Sequence, residues 1–112
     1  MKYLIVVFNL MLFAAGGLVM AALAEDTVVE LRFENRRFTP QTITVPANRP
    51  FKIKIVNASK EAMEFESFKL NREKVVGASE TVTITVPGLK PGSYDFYDDF
   101  HQDVPQGTIV AK

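Results

Sequence analysis

The chain has 112 residues, with 13 lysines plus arginines against 13 aspartates plus glutamates, one histidine and no cysteine. That balance gives no general attraction to nucleic acid or anionic lipid, and the absence of thiols excludes disulfide staples and thiolate chemistry. A chain this long has room for one domain with a modest core.

Residues 1–24 stand apart from the rest. Met1 and Lys2 lead into an uncharged, almost wholly apolar run from Leu4 to Leu23, and Ala22-Leu23-Ala24 is followed at once by Glu25-Asp26. A positive start, an apolar stretch and an Ala-x-Ala junction are the parts of a secretory signal peptide, with cleavage expected after Ala24. The competing reading is an uncleaved anchor, because the run approaches the ~20 residues that span a bilayer. Both readings put residues 25–112 outside the cytoplasm as one domain. That segment is 88 residues long (112 minus 24), and losing Lys2 leaves 12 basic groups against 13 acidic ones, a net charge of −1. Met63 is its only methionine.

From Thr27 to Glu34, Val29, Leu31 and Phe33 alternate with polar neighbours, the period of a half-buried strand. Phe38-Thr-Pro-Gln reads as a turn, Thr42 to Val45 as a short strand, and Pro46 to Pro50 as a second turn. Phe51, Ile53 and Ile55 define a third strand ending at Asn57. Met63 to Phe68 extends again, placing 63, 65 and 67 on one face and 64, 66 and 68 on the other. Leu70 to Lys74 is ambiguous between a helical turn and a loop. Thr81 to Val86 is β-branched, Pro87 to Gly92 is a turn pair, and Ser93 to Asp98 and Gly107 to Ala111 read as strands. Short strands between Pro/Gly turns, without a long helix, predict an all-β antiparallel sandwich or barrel.

Residues 94–103, Tyr-Asp-Phe-Tyr-Asp-Asp-Phe-His-Gln-Asp, hold four of the five aspartates and the single histidine, with no lysine or arginine. If Tyr94 and Phe96 face the core, Asp98 shares their parity and points inward, while Asp95 and Asp99 point outward. An inward carboxylate is costly unless a cation or hydrogen bonds meet it. His101 follows three residues later, and a metal ion is one economical partner for both. Carboxylates with one imidazole suit divalent iron, manganese, zinc or copper, whereas cuprous ion prefers sulfur. A solvated acidic loop with an ordinary surface histidine is the competing account. No serine lies in a nucleophile-elbow motif, and there is no phosphate-binding glycine loop. Neither nucleic acid nor a small organic substrate is therefore expected.

Phe38-x-Pro-x-x-Ile-x-Val-Pro, the strand ending in Asn57, Pro91-Gly-x-Tyr-x-Phe and the final Gly-x-Ile-Val resemble the framework of the cupredoxins. The resemblance implies a Greek-key antiparallel β-sandwich. Blue-copper members carry Cys-x-x-His-x-x-x-x-Met between the last two strands and a further histidine after the asparagine-ended strand. On this sequence the cysteine position falls on Asp98, the second histidine on His101, the axial methionine on Gln106, and the first histidine on Met63 or Glu64. Loss of the thiolate removes blue-copper electron transfer.

Ala62-Met-Glu-Phe-Glu-Ser, Arg72-Glu-Lys-Val-Val and Pro91-Gly-x-Tyr-Asp-Phe-Tyr-Asp-Asp-Phe-His further resemble the small cupredoxin-like proteins of bacterial high-affinity ferrous iron uptake. That likeness implies a periplasmic protein that binds an iron or copper ion and passes it to a membrane iron permease, alongside other exported components. The metal-ligand candidates are then Met63, Glu64, Glu66, Asp98, Asp99 and His101. Met63 and Glu66 have opposite parity, so both reach one ion only if the strand is bulged. Two further readings stay open. One is a β-sandwich interaction or structural module that has lost its metal, and the other is a ferroxidase, which would need copper or a second redox partner.

Overall fold

The computed structural model describes residues 27–112, in which every regular element is a strand. The predicted signal segment lies outside the described residues. In chain order the strands are β1 Thr27–Glu34, β2 Arg37–Thr39, β3 Thr42–Val45, β4 Phe51–Asn57, β5 Met63–Ser67, β6 Arg72–Val76, β7 Thr81–Val86, β8 Gly92–Asp98 and β9 Gly107–Ala111. They form two sheets, ordered β2-β1-β4-β7 and β3-β9-β8-β5-β6. Each sheet turns one face to the other, which is why hydrophobic residues alternate along most strands.

β4 shows this alternation most clearly. Phe51, Ile53, Ile55 and Asn57 are buried and the residues between them are not. Leu31 and Phe33 from β1 meet them within their own sheet, and Phe65, Phe96 and Ile109 face them from the other. A chain of aromatic rings crosses the sandwich. Phe33 lies 5.2 Å from Phe38, Phe38 meets Phe96 edge-on at 5.0 Å, and Phe96 stacks on Phe65 at 5.3 Å. Gly107 opposes Phe96 in the β8–β9 ladder. A methyl group at Gly107 would come within 2.2 Å of the Phe96 ring, so β9 passes over that ring only because residue 107 lacks a side chain.

Three expectations need correction. Both sheets are mixed, because β1 runs parallel to β4 and β3 parallel to β9. The chain leaves β1's sheet to form β3 in the opposite sheet and returns as β4 in the original direction. Phe38 and Thr39, expected to open a turn, lie in the edge strand β2, which hydrogen-bonds back along β1 with Phe38 buried against Phe33. The ambiguous 70–74 region leads into β6, which pairs in register with β5 from Ser67↔Arg72 to Met63↔Val76. That register is continuous, so β5 has no bulge.

Asn57 closes the β4–β5 connection. It is fully buried, and its Nδ2 donates to the carbonyls of Glu61, Val76 and Gly77 at 2.8, 3.0 and 3.0 Å. Its Oδ1 accepts from the backbone N–H and the hydroxyl of Ser59. The loop carrying Glu61 is thus built around one amide and held against the end of β6.

Candidate metal centre

The predicted ligands fall on two sides of one sheet. β5 is a regular strand, so Met63, Phe65 and Ser67 are buried while Glu64 and Glu66 point away from the core. On β8, Phe96 and Asp98 are buried, as their parity required. Asp99 begins the following loop, and its N–H donates to the carbonyl of Glu64 at 2.9 Å. Asp98, His101 and the fully buried Met63 therefore belong to the inner side, and Glu64, Glu66 and Asp99 to the outer one.

On the inner side, Asp98 is 0% exposed and all of its bonds are internal. Its Oδ1 accepts the N–H groups of Glu64 and Phe100, each at 3.0 Å. Its Oδ2 lies 2.6 Å from His101 Nδ1, and the opposite ring nitrogen, Nε2, lies 2.8 Å from Glu61 Oε1. Ionised carboxylates only accept hydrogen bonds, so this arrangement favours the ring with a proton on each nitrogen. The bond to Asp98 is the main reason that the His101 pKa is raised above 6.5. Burial acts against it, and Glu61 adds to it. The Phe33 ring lies over the imidazole at 6.3 Å, nearly parallel at 25°. Beside this chain of charges a cleft of about 360 Å³ is lined by His101, Glu61, Phe33, Arg36 and Lys60 among others.

On the outer side, Glu64, Glu66 and Asp99 each offer one oxygen within 4.8 Å of the other two. Glu73 stands across from Glu66 on β6, and Tyr97 stands across from it on β8. Partial burial and then the negative charges of Glu73, Asp99 and Glu66 raise the pKa of Glu64 above 4.5. Burial, Glu73 and Asp99 do the same to Glu66. Tyr97 is pushed upward by burial and by the same carboxylates. A divalent cation would relieve this repulsion, and an all-oxygen donor set suits a hard ion.

Sequence reading alone missed Glu61. It is 40 residues from His101, and the only local signal was Asn57-x-Ser59, whose side chains favour a compact Asx turn. Glu73 is an exposed residue of β6, and the β5–β6 register sets it against Glu66. Gln106, at the expected axial position, is exposed, and its carbonyl accepts from Gln41 at 2.8 Å.

The family model described as a cupredoxin-like domain matches residues 3–111. The chain belongs to the cupredoxin-like domain family. A protein of Rickettsia prowazekii (strain Madrid E), described as uncharacterised, is 39% identical to this cupredoxin-like chain over 89 residues, 78% of this chain and 71% of that one. Auracyanin A, a "blue" copper protein from Chloroflexus aurantiacus, superposes with a TM-score of 0.67 at 16% identity, covering 79% of this chain and 100% of that one. The metal-binding domain of a Cu(I)-exporting P-type ATPase from Streptococcus pneumoniae D39 gives 0.69 at 15% identity, covering 80% and 90%. At such identities these structural likenesses establish the fold. A blue-copper centre needs one thiolate and two imidazoles. This cupredoxin-like chain has no cysteine and a single histidine, whose two nitrogens both meet carboxylates. The donors present do not fit that centre.

Proposed function

We propose that this protein is an exported metal carrier of iron (or copper) uptake. It binds a divalent ion at the outer carboxylates Glu64, Glu66 and Asp99 and passes the ion to a membrane permease. The reading rests on one observation: three carboxylate oxygens from two separate segments gather within 4.8 Å of one another on a cupredoxin-like fold. The oxygen donors favour iron(II) or manganese(II) over cuprous ion. A half-exposed site also suits a carrier, which must release its ion as well as hold it. The Ala-x-Ala junction at residues 22–24 supports export, and the periplasm is the compartment that the resemblance to the iron-uptake proteins implies.

The test is equilibrium titration of the purified protein with iron(II) under anaerobic conditions, manganese(II) and copper(II). Binding at micromolar concentration is expected, and Glu66→Gln and Asp99→Asn are expected to weaken it. If no ion binds, or if these variants bind as well as the wild type, the proposed site is wrong. In the first case the alternative of a β-sandwich module without metal gains.

A further inference from the structure

We propose that Glu61, His101 and Asp98 form a metal-independent clasp between the β4–β5 and β8–β9 loops, and that its buried member positions the backbone carrying Glu64 and Asp99. The positioning half rests on the metal-binding reading above, and the clasp itself does not.

The distances at the inner side fit hydrogen bonds and do not fit two ligands of one ion. Two donors bound to one ion at about 2.0–2.2 Å are held apart by about 3 Å or more. Asp98 Oδ2 and His101 Nδ1 are 2.6 Å apart, the spacing of a short, charge-assisted hydrogen bond. The other ring nitrogen is already joined to Glu61, and the other Asp98 oxygen already accepts two backbone N–H groups. No nitrogen of the ring is left for an ion. The outer end is fixed as well, because the Glu61 carbonyl is held by Asn57 Nδ2.

The clasp reaches the outer carboxylates through the backbone. β5 and β8 pair only at Phe65↔Asp98 and Glu66↔Tyr97. Past that point the Asp98 carboxylate continues the ladder by accepting the Glu64 N–H, and the Asp99 N–H donates to the Glu64 carbonyl. Both backbone polar groups of Glu64 are thereby tied to the Asp98-Asp99 pair. The spacing between the Glu64 and Asp99 side chains on the outer face is set from below by a buried carboxylate. Asp98 is on this account a positioning residue.

Two measurements test the proposal. In the first, nitrogen-15 NMR of the imidazole at neutral pH is followed while zinc(II) is added. No zinc-bound ring nitrogen is expected, even at saturating zinc. A deprotonated, zinc-bound nitrogen would overturn the clasp. In the second, manganese(II) affinity is compared among folded variants. Asp98→Ala is expected to weaken binding about 10- to 100-fold, the usual effect of losing a ligand-orienting partner. Asp98→Asn keeps an oxygen acceptor for the Glu64 and Phe100 N–H groups and is expected to recover most of that loss. Unchanged affinity in Asp98→Ala, or equal loss in both variants, would overturn the positioning role. If the wild type binds no manganese(II), the metal-binding reading and the positioning role fail together, while the NMR result still decides the clasp.

Discussion

Glu66 on β5 and Glu73 on β6 stand directly across from one another in the antiparallel ladder. Like charges in that arrangement cost about 0.2–1 kcal/mol, and nothing in the β5–β6 register relieves them. Glu73→Gln is therefore expected to stabilise the metal-free protein by about that amount. Glu73→Lys is expected to stabilise it further while weakening cation binding. Urea denaturation with and without manganese(II) measures both effects.

Stability should fall as pH rises. Glu64 and Glu66 have raised folded pKa values, so their contribution is complete below the ordinary value of 4.5 and is lost as pH climbs through the raised ones. His101 has the same sign. Its contribution is complete below 6.5 and is lost as pH rises through its higher folded value. The metal-free protein should melt at a higher temperature at pH 5 than at pH 9. Saturating manganese(II) should reduce the difference by favouring the ionised carboxylates, and His101→Gln should flatten the part of the profile above 6.5. Thermal melts across this range check each part.

Gly107→Ala places a methyl group against Phe96 and within 2.9 Å of the Gln41 carbonyl. The Phe96 ring has little room to retreat, since it packs against both Phe38 and Phe65. A loss of about 1–3 kcal/mol is expected, the usual cost of overpacking a core, and chemical denaturation measures it.

Asn57→Ala removes one side chain that serves three carbonyls and two donors from Ser59. Leaving buried groups unpaired costs about 1–3 kcal/mol. The change should also free the Glu61 loop, seen as faster amide hydrogen exchange at residues 58–62 and at His101. Unaltered exchange there would count against the loop's dependence on Asn57.

The strands that face the core on one side were legible in the sequence, because burying one face imposes a period of two. β1, β3, β4 and β7 follow the expected limits. β2 and β6 were hidden for a physical reason. β2 has a single buried residue, Phe38, and β6 buries only Val76, so neither edge strand has an alternation to read. The parallel pairing of β1 with β4 was hidden too, since local pattern carries no information about which distant strand becomes a neighbour.

The candidate site divides along the same line. Parity with Phe96 was enough to turn Asp98 inward, and the alternation of β5 was enough to separate Met63 from Glu64 and Glu66, because side-chain direction in a strand is a local property of the backbone. Only the tertiary structure brought Glu61 to the far nitrogen of His101 across 40 residues, and only it set Asp99 beside Glu64 and Glu73 against Glu66. Such contacts arise when two sheets and their loops pack together. The sequence determined which faces the charges occupy, and the fold decided which charges meet.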